Sequence, residues 1–351
     1  MRIVDNRGLL LRVRNPAKIT TAIPTSRQVN ANEVLVRWGV DESRVLRNLN
    51  VRDIPSPILG KYDWPGRYTP FEHQKTTASF LTMNRRAFCF NEQGTGKTGS
   101  AIWASDFLMR EKIIKRVLII CPLSIMESAW AGDLFNFAMH RKVDVAHGAR
   151  KKRQAIINSD AEYIIINYDG VEIVRDEIAN GGFDLIIADE ATHYKNAQSK
   201  RWKVLHSLIT PDTWLWLMTG TPAAQSPVDA YGLGKLVNPK GVPRFFGGFR
   251  ELVMQKVTQF KWVPKPKAVD IVFNALQPAI RFTKEQCLDL PEMTYVKREV
   301  ELTPQQKKYY TALRNQMVTV AGGEQITAVN AAVNMNKLLQ ISCGAVYTDT
   351  G

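Results

Sequence analysis

Asn91-Glu92-Gln93-Gly94-Thr95-Gly96-Lys97-Thr98 is the stretch of this sequence best suited to chemistry. Its glycines free the backbone to turn N–H groups toward anionic oxygens, and a helix opening at Lys97 would add the favourable dipole of its N-terminus. Such a loop suits a nucleoside triphosphate. The backbone through Gly94, Thr95 and Gly96 would cradle the phosphates, Lys97 would reach the β- and γ-phosphates, and the Thr98 hydroxyl would hold Mg²⁺. The usual pattern has a glycine where Asn91 stands, so the motif alone leaves open an ordinary glycine turn ahead of a helix.

Further along, Phe183-Asp184-Leu185-Ile186-Ile187-Ala188-Asp189-Glu190 is an apolar run ending in adjacent carboxylates. Two acids there are costly unless they sit at the strand's C-terminal edge and face a cation. Asp189 would bind Mg²⁺, and Glu190 would orient and deprotonate an attacking water. The pair alone is equally consistent with a strand stopping at a solvated turn. A third run, Trp214-Leu215-Trp216-Leu217-Met218-Thr219-Gly220-Thr221-Pro222, ends in two hydroxyls. Thr219 and Thr221 could hydrogen-bond the acids and report nucleotide state, or form a plain Gly-Pro turn.

The elements that must position these residues are legible in outline. Ala87-Phe88-Cys89-Phe90 reads as a buried strand, and Ala101, Ile102, Ala104, Phe107 and Leu108 give the following helix one apolar face. Residues 69–240 alternate strand and helix signals, which predicts an α/β fold with a parallel sheet and helices on both faces. Residues 1–68, with short β-like runs at Leu9 to Val13 and Glu33 to Trp38, read as a small β-rich accessory domain. It would either contact the larger domain's partner or cap that domain's flank. Residues 241–289 read as a helical protrusion or linker, and residues 290–351 as the beginning of a further domain.

The chain has 351 residues, 45% of them hydrophobic, enough for one large core and a small satellite. Cys89, Cys121, Cys287 and Cys343 lack C-x-x-C spacing, and the five histidines lack ligand spacing, which argues against a disulfide frame or a zinc site. Met1 to Asp5 opens no signal peptide, and no apolar run approaches the roughly 18 residues of a membrane span. These features predict a cytoplasmic protein with no membrane partner. The formal net charge is +14, with clusters at Lys112 to Arg116, Arg141-Lys142, Arg150-Lys151-Lys152-Arg153, Lys195 to Lys203 and Lys256 to Lys267. Any one cluster is an ordinary solvated face; together, beside a phosphate loop, they predict a polyanion held by phosphate contacts independent of sequence. Charge does not choose between DNA and RNA, and no aromatic platform for RNA bases is evident.

The order of these motifs resembles the first motor lobe of superfamily-two helicases, and most of all the Swi/Snf-type DNA translocases with their bacterial and phage relatives. Asp189-Glu190-Ala191-Thr192-His193-Tyr194-Lys195-Asn196 is similar to that family's D-E-x-H-x-x-K-N box. Thr219 to Pro222, with Asp229 to Leu233 and Leu236-Val237-Asn238-Pro239, is similar to its T-G-T-P box and the helix beyond. Arg281-Phe282-Thr283-Lys284, Leu290-Pro291 and Leu302 to Tyr310 match three later signatures, and Pro70-Phe71-Glu72-His73-Gln74 resembles the adenine-reading box.

The resemblance implies a RecA-like lobe of the P-loop type that binds ATP and Mg²⁺, with Gln74 at the adenine. It also implies double-stranded DNA as substrate, touched by Pro122 and Ser124 after one strand, Asn167 after another, and Lys195. Thr192 stands where the family has a histidine, and Ala223-Ala224-Gln225-Ser226 replaces an L-Q-N sequence. The family's second lobe, with its arginine finger, needs more chain than follows Leu290, so a longer protein or another chain is expected to supply it. A DNA translocase or fork remodeller is the leading reading; a restriction-system motor subunit and a non-catalytic DNA-binding module are the alternatives.

Overall fold

The structure is a computed structural model that describes residues 1–223, 225–258, 261–287, 296–321 and 328–344. The chain divides into two compact units, Met1–Leu290 and Pro291–Gly351. In the first, β1 (Arg2–Val4), β2 (Gly8–Arg12), β3 (Arg27–Asn30) and β4 (Glu33–Arg37) form an antiparallel sheet in the order β1-β2-β4-β3. Alternation in β2 and β4 turns Leu9, Leu11, Val34 and Val36 inward onto Ile19, Leu46 and Trp38. Asn15 caps the helix Pro16–Ala22 by accepting from Lys18 N at 3.3 Å, with Pro16 at its first position.

The following strands are β5 (Arg86–Cys89), β6 (Val117–Cys121), β7 (Val143–Ala146), β8 (Tyr163–Asn167), β9 (Leu185–Ala188) and β10 (Trp214–Met218). Beyond them, β11 (Met254–Lys256) and β12 (Trp262–Pro264) make a separate hairpin, and β13 is Ala279–Ile280. The large sheet is parallel throughout, in the order β13-β5-β10-β9-β6-β8-β7. Its central strands are continuous apolar runs because both faces are covered. Phe88, Leu118, Ile120, Ile186, Leu215 and Leu217 enter one core. Their neighbours Ala87, Cys89, Val117, Ile119, Ile187 and Trp216 enter the other, on the far side.

Two features differ from the sequence reading. The segment read as a linker supplies β13, which pairs with β5 and so lies in the sheet itself; a two-residue strand after Pro278 offers no alternation to detect. The helix Lys97–Arg110 is buried on nearly every side from Gly99 to Met109, since it lies between the sheet and the helices Glu72–Thr82 and Gly132–Ala138. That burial includes Asp106, fully enclosed, whose carboxylate accepts from Tyr62 OH at 2.6 Å, His140 Nε2 at 2.9 Å and Arg141 Nε at 2.6 Å. Tyr62 and the buried Ser56–Thr82 hydroxyl pair at 2.7 Å tie the N-terminal region to the flank of the large sheet.

In the second unit the helices Pro304–Ala321 and Ala328–Cys343 pack on each other, and Gln306 Nε2 donates to Ile341 O at 3.1 Å. Thr303 and Gln306 form a reciprocal cap at the first helix. Leu290-Pro291 and Ala224 lie outside the described residues. Among the described residues, no helix is long and apolar enough to cross a membrane.

Candidate functional site

In a parallel sheet the loops leaving the carboxyl ends of the strands share one edge. Here that edge carries the phosphate loop after β5, Thr219 after β10 and Asp189-Glu190 after β9, so the hydroxyl-bearing strand lies between the other two.

Gly94 and Gly96 have φ of +84° and +73°, a conformation that favours glycine. Gln74 also packs close to Gly96, where a Cβ would meet its Nε2 at 1.9 Å and push that side chain aside. Gln74 is held in that place by its Oε1, which accepts from Phe71 N at 2.9 Å at the start of the helix Glu72–Thr82. His73 Nε2 donates to Thr95 O at 2.8 Å, and Thr95 Oγ1 donates to Glu92 O at 2.7 Å. Asn91 is fully buried, with no positive φ; its Nδ2 donates to Thr77 Oγ1 at 2.9 Å and its Oδ1 accepts from Phe282 N at 3.1 Å.

The Phe282 contact belongs to a strap running from β13 across the loop. Glu92 N donates to Phe282 O at 3.0 Å, Lys284 N donates to Glu92 Oε2 at 3.1 Å, and Arg281 lies 3.7 Å from Glu92 Oε1. Lys284 Cε stands 3.7 Å from where a Cβ of Gly94 would be. The motifs that hold His73, Asn91, Glu92 and Arg281 to Lys284 are legible in the sequence, but their joining here is not, since nothing local marks partners so far apart in the chain.

Asp189 is 6% exposed. Trp130 Nε1 donates to its Oδ2 at 3.0 Å and Glu190 N to its Oδ1 at 2.9 Å. Burial pushes its carboxyl above the usual range, opposed chiefly by the positive charge of Lys97, which joins the phosphate loop and the acid electrostatically. Each carboxylate oxygen keeps a lone pair, so this donor set fits a hard cation that takes few protein ligands and draws the rest from phosphate and water. No cluster of three or more metal-ligating side chains occurs among the described residues.

Glu190 adopts φ +48°, ψ +53°, rare for a side chain of its kind and costing on the order of 1–3 kcal/mol. Tyr168 OH offsets this by bonding the carbonyls of Asp189 and Glu190. The Glu190 Oε1 accepts from Thr192 Oγ1 at 3.1 Å and Thr219 Oγ1 at 3.2 Å, while Thr221 N donates to Thr219 Oγ1 at 3.2 Å. Thr192, the departure from the family's histidine, is thus one of two hydroxyls that aim the acid. The arrangement presents one buried carboxylate beside a lysine and one oriented carboxylate next to it, which is what hydrolysis of a metal-bound phosphoanhydride requires.

The residues expected to meet DNA are more dispersed. Pro122 is half-buried and Ser124 exposed beyond β6. Asn167 Oδ1 accepts from Arg153 Nη1 at 3.0 Å, and Arg153 is buried, donating to Ala146 O at 2.7 Å and Gly148 O at 2.8 Å. The Arg150-to-Arg153 cluster therefore exposes Lys151 and Lys152 but turns Arg153 inward. Lys195 Nζ donates to Gln225 Oε1 at 2.6 Å and lies 3.4 Å from Asp229 Oδ2, tying the acid box to the segment after Thr221.

The sheet order, the glycine cradle and the acid pair define a RecA-like nucleotide-binding lobe of the P-loop type. The chain belongs to the SNF2-related domain family, whose model matches residues 73–345. It is 26% identical over 305 residues to a protein of Acyrthosiphon pisum secondary endosymbiont phage 1, covering 80% of this chain and 65% of that one. To an ATP-dependent helicase of Mycoplasma genitalium it is 26% identical over 226 residues, covering 63% of this chain and 21% of the helicase. Its fold is similar to the Sulfolobus solfataricus SWI2/SNF2 ATPase core in complex with double-stranded DNA. That match has a TM-score of 0.55 and 21% identity, covering 79% of this chain and 59% of that one. The chain thus spans under two thirds of the length of each of these relatives.

Proposed function

We propose that this chain is the nucleotide-binding lobe of an ATP-driven motor that translocates on or remodels double-stranded or branched DNA. The observation that carries the proposal is the tethering of Glu190 by Thr192 and Thr219 beside the buried Asp189, across β10 from the phosphate loop. Gln74 recognises the adenine, the backbone from Gly94 to Gly96 cradles the phosphates, and Lys97 neutralises the β- and γ-phosphates. Thr98 and Asp189 hold Mg²⁺, which when bound offsets the charge that builds on the transferred phosphate. Glu190 orients the attacking water and accepts its proton. Thr219 and Thr221 sense the acid's position and pass it to the DNA-facing loops at Pro122, Ser124, Asn167 and Lys195. A second lobe, in the same polypeptide or another, closes on the nucleotide and contributes an arginine.

The test is ATP hydrolysis with and without double-stranded DNA, in the parent and in Glu190→Gln. Gln keeps an oxygen to accept from Thr192 and Thr219, so ATP binding stays and turnover falls by about 10²-fold or more. Turnover at the parental rate in Glu190→Gln would remove that residue as the base. Failure of the parent to bind Mg-ATP would remove the proposal as a whole. ATP and DNA binding with no turnover would assign hydrolysis to the chain together with its second lobe.

A further inference from the structure

Beside the Lys195–Asp229 pair the surface opens into a cleft of about 690 Å³. That volume is ample for one nucleotide. Four aromatic rings line it, from Trp202, Tyr231, Phe245 and Phe246. Phe245 is 69% exposed and Phe246 37%, unusual for large apolar side chains standing together at a loop and helix start. Tyr231 is held by its hydroxyl, which donates to Arg244 O at 2.9 Å, and Trp202 Nε1 donates to Gly232 O at 2.8 Å.

Charge is arranged over these rings. Lys235 Nζ lies 5.9 Å from the Tyr231 ring and the Arg244 guanidinium 5.2 Å from the Phe245 ring. Neither cation has a carboxylate partner among the described residues, and the one acid lining the cleft, Asp229, is already engaged by Lys195. An apolar peptide would leave both cations unused, whereas a ring bearing a phosphate meets the aromatic walls and the cations together.

We propose that this cleft takes one unpaired nucleotide, its base against the rings and its phosphate on Lys235 and Arg244, supplied by a DNA strand at a junction, gap or end. The inference rests on the DNA reading above and adds a preference for unpaired DNA. The same chemistry could be met by a free nucleotide, and the experiment separates the two. The rings come from three places in the chain, so no single sequence motif announces them. A smaller cavity, lined by Thr192, Thr221, Gln225, Lys195 and Asp229, shares its last two residues with the cleft and includes Thr192, whose hydroxyl bonds Glu190.

The experiment compares a blunt duplex, the same duplex with a short single-stranded gap, and a single-stranded oligonucleotide, by fluorescence anisotropy. It uses the parent, Phe245→Ala and Arg244→Ala, both changes in exposed side chains. The gapped duplex should bind the parent more tightly than the blunt one. Each variant should lose on the order of tenfold for gapped and single-stranded DNA, with blunt-duplex affinity within about twofold of the parent. Equal affinity for gapped and blunt duplex, or variants that weaken neither or both alike, would overturn the proposal while leaving the duplex reading intact. Calorimetry with dAMP on Lys97→Ala, whose phosphate loop is disabled, separates the sources. Binding there that Phe245→Ala abolishes would assign the cleft to a free nucleotide and overturn the strand. If no DNA form binds, the duplex reading and the strand fall together.

Discussion

Restoring the missing glycine of the phosphate loop should damage it. Asn91→Gly completes the usual nucleotide-loop pattern, yet Asn91 adopts no backbone angle that needs glycine, and its side chain joins three separate pieces of the site. The substitution removes the bond to Thr77 on the helix Glu72–Thr82 and the bond from Phe282 N in the strap. Each is worth about 0.5–1.5 kcal/mol net, since Asn91 is fully enclosed. Glycine adds about 0.5–1 kcal/mol of extra chain entropy lost on folding. The sum is roughly 1.5–4 kcal/mol, which for a unit running from Met1 to Leu290 lowers the melting temperature by roughly 2–7 °C. Thermal unfolding followed by circular dichroism, with and without Mg-ATP, measures it. The ATP-dependent stabilisation should also shrink, because the loop loses its link to the strap. A variant that melts at the parental temperature, or binds ATP more tightly, would refute the idea that Asn91 works as a structural tie.

Lys284→Ala should weaken ATP binding roughly tenfold by calorimetry, because its side chain reaches over Gly94, while the melting temperature hardly moves because Glu92 holds only its backbone. An unchanged dissociation constant would remove Lys284 from the phosphate site. Neutralising Lys151 and Lys152 together should lower duplex affinity and reduce the slope of log K against log salt by about 2, whereas an unaltered slope would exclude this helix from the DNA footprint. Burial raises the Cys89 and Cys121 thiols to about 12, so near pH 8 their thiolate fraction is about a thousandfold below that of an exposed cysteine. Iodoacetamide on the native protein should label the exposed Cys343 and spare both buried thiols until denaturant is added; early labelling of Cys89 would contradict the packing of β5.

The sequence exposed those parts of the site that are continuous in the chain. β5, β6, β8, β9 and β10 are apolar runs because parallel strands are buried on both faces, and the loops at their ends carry Lys97, Asp189, Glu190 and Thr219 as expected. Ties between distant segments were not legible. Asn91 to Phe282 and Glu92 to Lys284 join two motifs that the sequence shows only separately, and Trp130, which stands in neither, reaches Asp189. The basic stretch at Arg150 to Arg153 looked uniform, but a buried set of backbone carbonyls and Asn167 draws Arg153 inside. Thr192 read as a defect in its box; only its distance from Glu190 shows that a hydroxyl fills the position.

The pairing of β5 sets a timetable for synthesis. It is the earliest strand of the large sheet, yet its partners are β10 and β13, so Arg86 waits for Leu215 and Phe88 for Ala279. At about 5–20 residues per second the ribosome needs on the order of ten seconds to deliver the first of these. During that interval Ala87-Phe88-Cys89-Phe90 is an unpaired apolar edge on the nascent chain, and the loop it carries has nothing to brace it. Such long-range closure makes folding slow and exposes the segment to mispairing. A ribosome-bound chain halted before Trp214 should therefore recruit chaperones that one halted well beyond Ile280 no longer needs.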